Sequence, residues 1–488
     1  MIHESNSFYP LEPKRADMVR LGQEFLDRAL AFIEGIADRP VLPVEAAPQG
    51  FITAMLAPPP EQPGDLTSLL DKVDKAITHA IEPGSPGFMA YVPPGGLYVS
   101  ALADFYARVT NRFVGMALIS PALTALEDSV LRWLAGICGL PPGAGGVLLT
   151  GGSMANFSAI IAARHDRLGE RFQDGVLYMS AQTHHSVAKA ARLAGFPASA
   201  VRIVAHGPDL AIDLHALSQA IAEDRQRGLT PFLVIATAGT TNTGAVDPLP
   251  ELAAIAAAED LWLHVDAAYG GMFRLTERGR QRLRGMERAH SITLDPHKGL
   301  FLPMGTGALV MRDPSRLAAA NEVEGDYLHD MRSAQTFDGE YLPNFAELGP
   351  ELTREMRGLR AWLPLHFHGV AAFSQQLDEK LDLAAHAHKR LSADPLLDVP
   401  WRPELSTMAF RIRPKGDSSD SIREAEGATR ELLDCINGHG RALLSSTVID
   451  GKFMIRLCIL HFRTHADRVA EVLDLIAQEA RRVGARLS

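Results

Sequence analysis

The sequence predicts an α/β protein: a mostly parallel seven-stranded sheet covered by helices, followed by a small α+β domain at the C-terminus. Two observations predict it. Between residues 86 and 365, seven short apolar runs alternate with helical patterns, and runs of continuous apolar character mark strands buried on both faces of a parallel sheet. Beyond residue 391 the pattern changes to strands flanking a helix, with one closing helix.

The elements follow in order. Residues 16–35 place Met18, Leu21, Phe25, Ala29, Phe32 and Ile33 near helical spacing and read as an amphipathic helix. The Pro-rich stretch Ala57–Pro63 is an extended linker or irregular loop, and 66–81 is a second helix. This opening segment has too few apolar residues to fold alone, so it packs on something else, a second subunit being the natural choice. The seven runs are Val147–Thr150, Val176–Met179, Val201–Val204, Phe232–Ala236, Leu261–Val265, Ser291–Leu294 and Ala308–Met311. Helical patterns cover 355–391. Strands at 405–413 and 453–460 flank a helix at 420–437, and a helix at 465–484 closes the chain. The expected divisions are 1–85, a helical dimerisation segment; 86–365, a large domain; and 366–488, the small domain.

Composition narrows the function. The chain has 488 residues, 47% hydrophobic and 22% charged, with a net charge of −10, the profile of a globular protein rather than a nucleic-acid binder. Cys138, Cys435 and Cys458 lack CxxC spacing, which points to reduced thiols in the cytoplasm and to no metal site. The N-terminus does not read as a signal peptide, and no run of ~18 apolar residues suggests a membrane span.

The residues that carry chemistry lie at strand ends. Lys298 follows the strand Ser291–Leu294 in Asp-Pro-His-Lys-Gly, and Asp266 ends the strand Leu261–Val265 in His-Val-Asp-Ala-Ala-Tyr. A lysine that can form a Schiff base and a carboxylate that can pair with a pyridinium nitrogen are the groups a pyridoxal phosphate (PLP) site most needs. Strand Val147–Thr150 runs into Gly151-Gly152-Ser153-Met154-Ala155-Asn156 and a helix. That is an anion cradle at a helix N-terminus. It lacks the third glycine of a dinucleotide site and the Gly-Lys-Ser/Thr of a P-loop, so a monophosphate fits best. A ligand-free Gly-Gly turn is the equal alternative for this motif alone. His184 follows the strand Val176–Met179 and can lie over a ring, with surface solvation as its plain alternative. The hydroxyls of Thr237-Ala-Gly-Thr-Thr-Asn242 sit where open parallel sheets bind ligands, or serve only a hydrogen-bonded turn.

Taken together, the Asp-Pro-His-Lys, His-Val-Asp-Ala-Ala-Tyr and Gly-Thr-Thr blocks resemble the group II PLP-dependent amino-acid decarboxylases, the family of aromatic-L-amino-acid and glutamate decarboxylases. The resemblance covers nearly the whole chain. Phe32–Val41 is similar to the family's N-terminal helix end, Pro86–Tyr91 to its substrate-pocket strand and Arg357–Trp362 to the start of the segment leading to the small domain. The resemblance implies the fold-type I, aspartate aminotransferase-like architecture and a homodimer acting on an L-amino acid, by family weight an aromatic one. It implies that Lys298 holds PLP as a Schiff base, Asp266 bonds the pyridine nitrogen, His184 stacks on the ring and Ala268 packs on the other face. Gly152, Ser153, Met154 and His297 would hold phosphate. Thr241 would lie near the substrate carboxylate. Tyr91, Val92, Phe113 and Gly115 would line the substrate pocket. Tyr327, 29 residues after Lys298 in a polar Gly-containing stretch, is similar to the family's lid tyrosine that protonates the substrate carbon.

The sequence also departs from the family pattern. Gly299 follows the lysine where a bulky residue is common, Ser85 replaces a usual histidine, and Gly115 stands where aromatic-specific members look aromatic. Arg354 and Arg456 are the cations a dicarboxylic substrate would use. The rival readings are an aldehyde-forming oxidative deaminase, a transaminase or carbon–sulfur lyase on the same fold, and a PLP-fold protein kept as a binding partner.

Overall fold

The structure is a computed structural model, and it describes residues 11–321, 336–337 and 340–486. All seven apolar runs form strands: β1 Gly145–Leu149, β2 Gly175–Ser180, β3 Val201–Val204, β4 Thr230–Thr237, β5 Trp262–Asp266, β6 Ser291–Leu294 and β7 Gly307–Met311. They make one sheet in the order β1-β7-β6-β5-β4-β2-β3. Only β7 runs against its neighbours β1 and β6, so the carboxyl ends of the other six share one edge. Residues 232–238 are buried throughout, the central-strand pattern that the continuous apolar run predicts.

Helices cover the sheet. In the N-terminal segment lie α1 Arg15–Gly35, α2 Gln49–Met55 and α3 Leu66–Thr78. They are followed by α4 Tyr98–Thr110, α5 Pro121–Ile137, α6 Gly152–Leu168, α7 Ser186–Leu193, α8 Leu214–Gln226 and α9 Leu249–Ala258. Next come α10 Glu277–Arg282, α11 Pro296–Gly299 and α12 Pro314–Asn321. Two short strands, β8 Thr336–Phe337 and β9 Glu340–Tyr341, pair antiparallel. The helical patterns expected over 355–391 are two helices, α13 Leu359–His368 and α14 Val370–Ser392, separated at Gly369, whose φ of +74° favours glycine.

The last part of the chain forms a second, four-stranded antiparallel sheet in the order β10-β11-β13-β12. Its strands are β10 Leu397–Asp398, β11 Thr407–Ile412, β12 Ser445–Ile449 and β13 Lys452–Cys458. Helices α15 Ser419–Gly438 and α16 Ala466–Gly484 pack on it, and with the C-terminal half of α14 they enclose a separate apolar core. The expected pocket strand Pro86–Tyr91 is instead an irregular segment. It makes one bridge, Phe88 to Leu443, and Met89 joins the small sheet's core. This path requires glycine at 87, because a Cβ there would lie 2.1 Å from Arg441 O.

The two bodies are tied by Tyr269. Its ring lies in the large core, and its hydroxyl takes an N–H from Ser406 at 2.9 Å and a hydroxyl hydrogen from Thr407 at 3.0 Å. Among the described residues, no helix is long and apolar enough to cross a membrane.

Two buried histidines make the fold acid-sensitive. Burial pushes His264 down to about 4 and His461 down to about 3. An unfolded histidine titrates near ~6.5. Between these values the unfolded chain takes up protons that the folded chain refuses, so the contribution is complete above ~6.5 and is lost as pH falls. At about 1.4 kcal/mol per unit, lowering the pH to 5.0 should remove about 2 kcal/mol per histidine. Urea unfolding at pH 7.5 and 5.0 checks this, and an unchanged midpoint would refute it.

Candidate active site

The carboxyl ends of β1, β4, β5 and β6, with the loop after β2, surround a cavity of about 280 Å³. Its walls include Gly152, Ser153, Met154, His184, Thr241, Asp266, Ala268, His297 and Lys298. Nine positions drawn from five separate sequence blocks therefore meet in one place.

One wall is the start of α6. Gly151 and Gly152 bring bare backbone to the cavity, and a Cβ on Gly307 of β7 would lie 2.4 Å from the Gly151 Cα. A Cβ on Gly152 would lie 3.1 Å from Asp295 Oδ2 and 3.2 Å from the Ala268 methyl. Free N–H groups of the first turn and the positive end of the helix dipole suit an anion here.

Lys298 sits in the one-turn helix α11 rather than in an open turn, because Pro296 is well placed at a helix start. Its Nζ lies 2.9 Å from Asp295 Oδ2, which makes Asp295, not Asp266, its counter-ion. Asp295 is buried, and its Oδ1 has no hydrogen-bond partner. The sequence reading passed over this residue although it opens the Asp-Pro-His-Lys block. His297 Nδ1 donates to Thr306 O at 2.7 Å, leaving Nε2 3.7 Å from Asp295.

Asp266 closes β5 and is buried. Its Oδ1 accepts the Ala268 N–H at 3.2 Å and its Oδ2 accepts Asn156 Nδ2 at 3.0 Å. His184 Nδ1 accepts the Ser186 N–H at 3.3 Å and lies 2.8 Å from Ser186 Oγ, which places the ring's proton on Nε2. Burial is the main reason that His184 titrates below its ordinary value, with Asp266 opposing.

Of the expected substrate residues, Thr241 lines this cavity, while Tyr91, Val92, Phe113 and Gly115 lie off it. Tyr91 is 60% exposed, Val92 is half-buried, and Phe113 and Gly115 belong to a loop where the Gly115 carbonyl accepts Ala346 N at 2.9 Å. A Cβ on Gly115 would strike the Phe113 ring at 2.4 Å, so the small residue there follows from packing. Gly299 has a similar cause: its Cβ would lie 2.5 Å from Met272 Cβ. Tyr327 lies outside the described residues.

Both candidate arginines are engaged elsewhere. Arg354 is buried in an ion pair with Glu127 at 2.9 Å and also donates to Leu148 O. Arg456 donates to Asn242 O, Ser445 Oγ, Tyr91 O and Thr241 O.

The described geometry offers a lysine, a buried carboxylate, a histidine and an anion cradle around one cavity. Residues 51–413 match the family model for the pyridoxal-dependent decarboxylase conserved domain. The chain belongs to the pyridoxal-dependent decarboxylase family. This decarboxylase is 34% identical to the aromatic-L-amino-acid decarboxylase of Bacillus atrophaeus, over 97% of each chain. It is 33% identical to the L-2,4-diaminobutyrate decarboxylase of Rhizobium meliloti, over 87% of this chain and 84% of the relative. Among solved structures it superposes on TDC from Oryza sativa with PLP and tryptamine, with a TM-score of 0.90 and 28% identity, covering 98% and 99% of the two chains. The decarboxylase is a PLP-dependent amino-acid carboxy-lyase with the fold of the PLP-dependent decarboxylases, as its resemblance implied. Its cavity fits the cofactor: Gly152 and Gly307, where a side chain would crowd its neighbours, flank the anion cradle, and the unpartnered Asp295 oxygen leaves a polar position to fill.

Proposed function

We propose that the enzyme decarboxylates an aromatic L-amino acid to its amine. What supports this reading over an acidic substrate is that neither Arg354, ion-paired with Glu127, nor Arg456, donating to backbone carbonyls and Ser445, lines the cavity, whereas a second carboxylate would need a cation there. The Bacillus relative, an aromatic-L-amino-acid decarboxylase matched along nearly its full length, supports it as well.

Lys298 would hold the cofactor covalently through its ε-amino nitrogen. The α6 cradle, with Ser153, Met154 and His297, would hold the phosphate. When bound, PLP supplies the sink for the electron pair that departing CO2 leaves behind. Asp266 would hold a proton on the pyridine nitrogen, and His184 and Ala268 would fix the ring plane from either face. Thr241 would orient the substrate carboxylate, so that the breaking bond stands across that plane. His184 or Tyr327 would return a proton to the substrate carbon.

A product screen over the standard amino acids, 2,4-diaminobutyrate and dopa tests the proposal. Amine and CO2 from aromatic substrates are expected. Preference for diaminobutyrate or glutamate would overturn the aromatic reading, and aldehyde with peroxide in place of amine would establish the oxidative one.

We also propose a cytoplasmic homodimer. Helices α1, α2 and α3 have no fully buried residue, and Phe25, Leu69 and Val73 are about half exposed. On α4, Leu102, Phe105, Tyr106 and Val109 are exposed as well. Apolar faces of this extent fit a second copy of the chain, which would also bring other side chains near Tyr91. Light scattering should give the mass of two 52.9 kDa chains, and an active monomer would refute it. Unpaired cysteines at 138, 435 and 458 support a reducing compartment.

A further inference from the structure

Asn156 lies one turn into α6 and is 1% exposed. An amide can make four hydrogen bonds, two as donor and two as acceptor, and Asn156 makes all four. Nδ2 donates to Asp266 Oδ2 at 3.0 Å and to Ser186 Oγ at 3.1 Å. Oδ1 accepts from Thr293 Oγ1 at 2.7 Å and faces His264 Nε2 at 3.0 Å.

The directions of these bonds are determined. A carboxylate only accepts, so the amide nitrogen must face Asp266, and the amide oxygen then faces His264 and Thr293. His264, kept neutral by burial, has one ring proton, and it must be on Nε2 to meet that oxygen. Its Nδ1 is then an acceptor for Ser291 Oγ–H at 2.8 Å, while Ser291 Oγ accepts Trp262 Nε1–H at 2.9 Å. One directed chain therefore runs Trp262, Ser291, His264, Asn156, Asp266. On the other branch Ser186 Oγ accepts from Asn156 and donates to His184 Nδ1.

We propose that Asn156 is the positioning residue for this site, orienting Asp266 toward the pyridine nitrogen and His184 toward the ring through one saturated amide. The proposal rests on the reading of Asp266 as the partner of that nitrogen. Alanine would leave the Asp266, Ser186, Thr293 and His264 groups each short of one bond inside the core. Among the described residues, the other charged or titratable groups around this region are His184, His185, His264, Tyr269, Asp295, His297 and Lys298, and none of them donates to Asp266 Oδ2.

The test uses holoenzyme reconstituted with PLP labelled with ¹⁵N in the ring. The ¹⁵N resonance is read for wild type, Asp266→Asn and Asn156→Ala, with Asn156→Ser as a polar substitute should the alanine variant not fold. Asp266→Asn should move the resonance to the unprotonated-pyridine position. The Asn156 variants should move it part of the way, with kcat reduced about tenfold or more, the loss typical of one hydrogen bond to a charged group, and KM changed little. A wild-type resonance in the Asn156 variants overturns the proposal, even if kcat falls, because a merely structural residue would act that way. A wild-type resonance in Asp266→Asn as well would overturn the reading of Asp266 itself.

Discussion

The Lys298→Ala enzyme is expected to have no measurable turnover. Among the described residues, Lys298 is the lysine that lines the cavity. No other described lysine can form the covalent link there. The α6 cradle is untouched by the substitution, so PLP should still bind through its phosphate, more weakly and without the absorbance near ~420 nm that a lysine-linked cofactor gives. Asp295 would lose its counter-ion at 2.9 Å and, as a buried carboxylate, be left with His297 Nε2 at 3.7 Å, which should also lower the melting temperature. Turnover and an absorbance scan check the expectation together. Full activity would remove Lys298 from the chemistry and with it the proposed site.

Asp266→Ala should lower kcat by orders of magnitude while leaving the fold intact. The loss has two parts. A charge-assisted hydrogen bond to the cofactor disappears, and the ring nitrogen is left without a group to hold its proton, which weakens the electron sink. Asn156 Nδ2 would at the same time lose an acceptor in the core. Single-turnover CO2 release on enzyme saturated with cofactor separates the effect from weaker PLP binding. A near-normal rate would leave Asp266 with a structural role alone.

Six strands of the large sheet were legible because they are buried, and such strands show as near-continuous apolar runs; the edge strand β3, with Ile203 exposed, was legible only as a short apolar run. Strand β12 was not legible, because Ser-Ser-Thr-Val-Ile has a polar start and an edge position with alternate residues exposed. The helical patterns over 355–391 did not place the boundary at Gly369, whose positive φ becomes evident only in the folded backbone. The site blocks were visible as local motifs, Lys298, Asp266 and the Gly-Gly turn among them. The connections between them were not. Asn156 was in view in the block after Gly152, but its partners lie 110, 108 and 137 positions away. Spacing within a motif does not reveal bonds that only tertiary packing creates. Asp295 was passed over for a similar reason: a carboxylate three residues before a lysine reads as an ordinary surface pair until burial shows that it has no water to fall back on.

The Tyr269 hydroxyl has a consequence for how the molecule comes apart. It follows Asp266 by three residues, and it takes hydrogen bonds from the N–H of Ser406 and from Thr407 at the start of β11. Opening the small sheet at that strand strands a buried phenol and pulls on the segment that carries the carboxylate. The small body is therefore part of the site's own cooperative unit. By mass action, a cofactor bound at the large sheet adds its binding free energy to the protection of amides in β11, so the part of the enzyme farthest along the chain is guarded by a molecule it need not touch.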